Sequence, residues 1–171
     1  MNMDSLYVKY DPILIEKGFV LQHAKPGDVG FDLPVVMDDR LKIEPYKDYY
    51  INWKERWFDV PPHGSAEVPC GMAVKIPNDA WGNIKGRSST RWKRKLHVAE
   101  GVIDSDYTGP LYVLVDNPNG TTVRIAEFDR LAQLLILPKY ASNQDIVVVD
   151  TLPSTVRGDT GFGSSGGILH Q

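Results

Sequence analysis

Gly86-Arg87-Ser88-Ser89, then Gly101-Val102-Ile103-Asp104-Ser105-Asp106-Tyr107-Thr108-Gly109, then the alternating run Leu111 to Asn117: residues 86–117 decide how this chain is read. Arg87 followed by two serines offers a planar cationic fork and two small hydroxyls on consecutive residues, which suits a phosphate chain. Gly101 to Ile103 has the pattern of a short strand, so Asp104 leaves a strand end with Asp106 on the same pleat side and Tyr107 beside it. A carboxylate and an aromatic ring then face one cavity. Thr90 to Lys95, free of Gly and Pro, predicts a turn or two of helix whose amino end, with its free backbone N–H groups, lies at the serines.

The bounds around this stretch are simple. With 171 residues the chain fits one domain large enough to bury a core without staples. A net charge of -3 argues against a dedicated nucleic-acid binder and in favour of small partners. Cys70 is the only cysteine, which excludes an intrachain disulfide or a cysteine zinc site. Met1 to Lys9 lacks the apolar centre of a signal peptide, and no apolar run has the length of a membrane span, so the cytoplasm is the expected compartment, with no membrane partner.

Outward from the centre, Gly and Pro punctuate short runs rich in Val, Ile, Leu and Tyr, an all-β rhythm. Leu6 to Tyr10 reads as an opening strand, and Gly27 to Leu33 as a turn delivering Asp32 into a strand. Ser65 to Pro77 alternates through Val68, Met72, Val74 and Ile76. Leu111 to Val115 and Val123 to Ile125 read as paired strands joined by the Asn117-Pro118-Asn119-Gly120 turn. Leu131 to Leu137 reads as a doubly buried strand interrupted by Gln133, and Ile146 to Val149 as one more strand. Between Glu44 and Pro62, six rings (Tyr46, Tyr49, Tyr50, Trp53, Trp57, Phe58) sit among charged residues. That density fits either a hairpin or short helix folded onto the barrel or a protein-partner patch. From Arg157 the chain sets an arginine and Phe162 among glycine and serine, the composition of a tail or of a mobile phosphate-binding lid.

Five segments, in order, resemble the motifs of the trimeric deoxyuridine triphosphatases: Ala24 to Leu33, Gly86 to Ser89, Gly101 to Gly109, Phe128-Asp129-Arg130-Leu131-Ala132-Gln133, and Arg157 to Gly167. The resemblance covers nearly the whole chain. It implies an all-β, jelly-roll-like barrel with one short helix, assembled as a homotrimer with shared active sites. Residues 1–156 are then the barrel domain, with an aromatic-rich insertion at about 44–62, and 157–171 the flexible lid. The implied activity is hydrolysis of dUTP to dUMP and pyrophosphate.

By the same resemblance, Asp104 orients and deprotonates the water that attacks the α-phosphorus, and Tyr107 lies on the deoxyribose and excludes a 2′-hydroxyl. Backbone groups around Gly101 and Ile103 read the uracil edge; Arg87, Ser88, Ser89 and Gln133 contact phosphates; Arg157 grips the terminal phosphate; Phe162, followed by Gly163 and Ser164, closes over the base. Asp32 resembles the acid that holds the waters of a Mg2+ ion bound mainly by substrate phosphates. Two departures stand out: Phe31 replaces a common tyrosine, and Val98 an asparagine that contacts uracil in many bacterial members. The rival of the same fold is a dCTP deaminase, which needs a glutamate where this chain has Leu114. A noncatalytic nucleotide-binding regulator, with residues 44–62 as its contact surface, is the alternative from another class.

Overall fold

The computed structural model describes residues 5–44, 49–140, 146–151 and 153–156. Its elements run β1 (Tyr7–Tyr10), α1 (Pro12–Glu16), β2 (Phe31–Pro34), β3 (Lys42–Glu44), β4 (Ile51–Asn52), β5 (Trp57–Val60), β6 (Ser65–Lys75), β7 (Ala80–Gly86), α2 (Ser88–Arg94), β8 (His97–Val98), β9 (Gly101–Ile103), β10 (Pro110–Asp116), β11 (Val123–Ala126) and β12 (Arg130–Pro138). The all-β expectation holds, and the strands form three antiparallel sheets, ordered β1-β6-β10-β8 with β3 also on β6, β11-β5-β4, and β2-β12-β7-β9.

β6 is the longest strand because its apolar residues keep a period of two over its length, Ala66, Val68, Cys70, Met72 and Val74 all entering the core. That length lets it pair with β3 near its start and β1 near its end along one edge. Burial pushes the Cys70 thiol up to about 12, which makes it a small core hydrophobe and not a reactive group.

Four sequence expectations change. A second short helix, α1, appears: Pro12 occupies its first turn, where the missing N–H costs nothing, and fully buried Leu14 anchors it. β10 and β11 do not pair with each other; β10 lies on β6 and β8, β11 on β5. The reason is Asn117, only 1% exposed, whose Nδ2 reaches the carbonyls of Val60, Pro61 and Thr121 and turns the chain from one sheet to another. Residues 146–149 form no strand, and Ile146, Val147, Val148 and Val149 are exposed.

The fourth change concerns the aromatic segment. β4 and β5 make the expected hairpin, but β5 is the middle strand of its sheet, with Phe58 and Val60 wholly buried in the core. Trp57 is half-buried under the Arg124 guanidinium, 3.3 Å from its ring, and beside Tyr50 at 5.1 Å. Tyr49, Tyr50 and Trp53 are exposed, and Tyr46 lies outside the described residues. The hairpin is tied down by Arg56, in left-handed conformation at φ 58°, which donates to the Glu127 carboxylate and the Met37 carbonyl. Burial of Glu127 raises its carboxyl pKa, but the Arg56 guanidinium and the Met37 N–H outweigh that and hold it below its ordinary range.

The chain divides into Met1–Lys139, which carries all of these elements, and Tyr140–Gln171. Among the described residues no helix is long and apolar enough to cross a membrane.

Candidate active site

The Arg87 end of the site is built on the β2-β12-β7 sheet. Gln133 on β12 faces Asp32 on β2 in register, and its side chain lies across Gly30, where an added Cβ would fall 2.2 Å from Oε1. A side chain at position 30 would have to push the Gln133 amide aside. Asp32 is 7% exposed and accepts from Arg87 Nε at 2.8 Å on one oxygen and from Arg130 Nη1 at 3.1 Å on the other. Arg87 also donates to the Arg130 carbonyl at 3.2 Å, and its own N–H bonds the Leu131 carbonyl at 3.0 Å. An unpaired carboxylate at this depth would be costly, and two guanidinium groups compensate it.

α2 begins at Ser88, as the absence of helix breakers predicts, with Arg87 extended at the N-cap. Thr90 fastens the helix by donating its hydroxyl to the Leu131 carbonyl at 2.7 Å. The consecutive serines diverge. Ser88 lines a cavity of about 360 Å³ with Asp28, Gly30, Asp32, Arg87 and Gln133. Ser89 lines the neighbouring cavity with Arg94 and Arg130.

The Asp104 end lies elsewhere on the chain. β9 pairs with β7, and Val102, Ile103, Asp104, Tyr107, Pro110 and Tyr112 line a cavity of about 310 Å³. A turn closed by Tyr107 N–H to the Asp104 carbonyl at 3.1 Å sets carboxylate and ring side by side. Tyr107 is pinned by its hydroxyl donating to the Pro110 carbonyl at 2.9 Å, over Gly109, where a Cβ would fall 2.5 Å from the phenol oxygen. Gly101 faces Ile84 in the ladder and Ile103 faces Gly82, β9 being the edge strand of its sheet, and Ile103 also lines the cavity. Leu114 on β10 is 44% exposed.

The predicted site residues thus fall into groups. Asp32, Arg87, Ser88 and Gln133 share one cavity; Ser89 opens to the next; Ile103, Asp104 and Tyr107 line a third. Arg157, Phe162, Gly163 and Ser164 lie outside the described residues. Arg130 is a site-forming residue that the sequence reading left unassigned, although it lies inside the Phe128 to Gln133 segment; only the long-range contact with Asp32 gives it a role.

A family model described as dUTPase matches residues 54–166. The chain belongs to the dUTPase family. It is 33% identical over 153 residues to the deoxyuridine 5'-triphosphate nucleotidohydrolase of Arabidopsis thaliana, an alignment covering 90% of this chain and 80% of that one. Among solved structures, the dUTPase of Staphylococcus bacteriophage 80alpha, in complex with dUpNHpp, superposes with a TM-score of 0.73 at 22% identity, covering 95% and 99% of the two chains. The dUTPase of phage phi11 of S. aureus, described with a structural Mg(II) ion, superposes with a TM-score of 0.64 at 21% identity, covering 86% and 97%. These structures bear on the fold, and the family membership carries the jelly-roll-like assignment.

Whether this family's metal suits the cavity is decided by its donors. Asp28 and Asp32 supply carboxylate oxygens to one wall, but both oxygens of Asp32 already accept from arginines, and no cluster of three or more metal-ligating residues occurs among the described residues. Such a wall fits a hydrated Mg2+ that takes its direct ligands from a triphosphate; it does not fit an all-protein cage.

Proposed function

We infer that this protein hydrolyses dUTP to dUMP and pyrophosphate, which limits uracil incorporation into DNA and supplies dUMP for thymidylate synthesis. The observation that carries the reading is the Asp104–Tyr107 turn, which sets a carboxylate and a ring in one cavity in a member of this family. Asp104 holds the attacking water and accepts its proton as the oxygen closes on the α-phosphorus. Tyr107 presents its ring to the deoxyribose, where a 2′-hydroxyl would collide, and the β9 backbone at Gly101 and Ile103 reads the uracil edge. Ser88, Ser89 and Gln133 take phosphate oxygens. Arg87, with its guanidinium on Asp32, acts chiefly by fixing Ser88 and by adding positive potential. Asp32 and Asp28 would hold a hydrated Mg2+ ion, which would supply charge neutralisation to the triphosphate and favour in-line attack.

The phosphate-side and base-side residues line separate cavities of one chain, and the apolar side chains of 146–149 lie exposed; both support a homotrimer in which subunits complete one another's sites. Residues 157–171, with Arg157, Phe162, Gly163 and Ser164, serve as the lid over that shared site, and the cytoplasm is the compartment that fits such an enzyme. Deleting 157–171 is expected to leave a folded trimer with severely reduced turnover, and mixing it with Asp104→Asn subunits to restore part of it. The function itself is tested by offering dUTP beside dCTP, dTTP and UTP. Selective release of dUMP and pyrophosphate from dUTP is the expected result, and deamination of dCTP would overturn the reading.

A further inference from the structure

Two lysines outside the five motif segments converge on the residue next to Asp104. Lys139, just beyond β12, donates from Nζ to Ser105 Oγ at 2.6 Å, and Lys75, at the end of β6, donates from Nζ to the Ser105 carbonyl at 2.9 Å. Ser105 is buried, unlike its exposed neighbours Asp104, Asp106 and Tyr107. Each lysine is itself held. The Lys139 N–H bonds the Asp79 carbonyl at 2.7 Å, and the Lys75 ammonium also donates to the Ile76 carbonyl and Asn78 Oδ1, both at 2.9 Å. The β6–β7 turn, the end of β12 and the Asp104 turn therefore meet at one node, with Ser105 at its centre.

Elsewhere in the turn the Tyr107 N–H bonds the Asp104 carbonyl and the Tyr107 hydroxyl bonds the Pro110 carbonyl. The second of those bonds ends on the first residue of β10, so it holds the Tyr107 side of the turn to that strand and leaves Ser105 to be tied elsewhere. Charge-assisted bonds from the two ammonium groups tie Ser105 itself, the residue covalently adjacent to the proposed base, to the ends of β6 and β12. We propose that Lys75 and Lys139 are positioning residues for the hydrolysis, fixing the Asp104 carboxylate through Ser105. Placement of that carboxylate within a few tenths of an ångström governs the approach of water, whereas the base-reading backbone of β9 is already fixed by its ladder with β7. Loss of the node then lowers kcat and leaves KM nearly untouched.

The inference rests on dUTP hydrolysis with Asp104 as base, and two readouts keep the readings apart: steady-state kinetics on dUTP and backbone amide exchange of residues 104–108 in the intact full-length protein. Lys139→Met and Ser105→Ala are each expected to lower kcat about tenfold with KM within about twofold, and the double variant to be no slower than either single one. Amide exchange across 104–108 is expected to quicken about tenfold in both, and Lys139→Arg, which keeps a charged donor, to recover most of both effects. Wild-type kcat and exchange in Ser105→Ala and Lys139→Met, or losses that multiply in the double variant, would overturn the proposal. If Lys139→Met fails to fold, Ser105→Ala alone decides it by the same criteria. Faster exchange in the variants of a chain that does not hydrolyse dUTP would leave the anchoring in place and overturn the assignment of its purpose; an active wild type with unchanged variants would overturn only the positioning.

Discussion

The Asp32 cluster and the Asp104 turn carry the same charged group in opposite settings. Asp32 is buried and neutralised by two arginines arriving from α2's N-cap and from β12, so its carboxylate is part of what joins three elements. Asp104 is exposed, on a turn tied to the sheets through its neighbour. One carboxylate has been spent on structure and the other is open to solvent. The difference teaches where activity and stability separate in this molecule: damage to the first region is expected to appear in both, damage to the second in turnover alone.

The sharpest way to break that contrast is Asp104→Asn. The amide keeps the shape and loses the base, so kcat is expected to fall about 10^2- to 10^4-fold with the melting temperature and the affinity for a nonhydrolysable dUTP analogue almost unchanged. Near-normal turnover would remove Asp104 from the mechanism. At the other region, Asp32→Ala leaves two guanidinium groups facing each other. A loss of about 2–3 kcal/mol in denaturant unfolding is expected, below the range for fully buried pairs because Arg130 is half-exposed, together with a higher KM for dUTP. An Asp32 variant with native stability would show that the cluster is not structural.

A third carboxylate, Glu127, extends the comparison to pH. Its side chain is 7% exposed and its folded pKa lies below the ordinary 4.5, so its contribution is complete above that value and is lost as the pH falls through the lower folded one. Glu127→Gln is expected to melt lower than wild type at pH 7, with the gap closing below about pH 4.5. A gap constant with pH would contradict the Arg56 pairing as its source.

The smallest effects belong to the aromatic hairpin. Trp57→Ala removes a ring half-covered by Arg124 and Tyr50 and is expected to cost about 1–3 kcal/mol, less than full burial would give. Trp53 is 48% exposed, and Trp53→Ala is expected to stay within about 0.5 kcal/mol. Thermal melting of the two single variants separates them, and equal losses would mean that Trp53 is covered in the assembled protein.

What was legible in the sequence follows from the range of the forces involved. Period-two alternation located β6, and the breaker-free run located α2, because both are local signals. Motif order singled out Asp104, Tyr107, Ser88 and Gln133, which line two of the cavities. The partner of β10 was misread because the Asn117-Pro118-Asn119-Gly120 turn looks like a hairpin loop, while the buried Asn117 amide, bonding carbonyls far away in sequence, directs it between sheets. Arg130 and the two lysines on Ser105 were invisible for the same reason: no local pattern marks a cation whose acceptor lies 30 residues or more away. The aromatic segment divided because ring density alone does not say which side of a strand faces the core.

Hydrolysis of dUTP in water enriched in oxygen-18 tests most directly whether Asp104 directs water to the α-phosphorus. Attack there is expected to place the label in dUMP and leave the pyrophosphate unlabelled, with Asp104→Asn abolishing most of the incorporation. Label in the pyrophosphate, or incorporation that persists undiminished in Asp104→Asn, would contradict it.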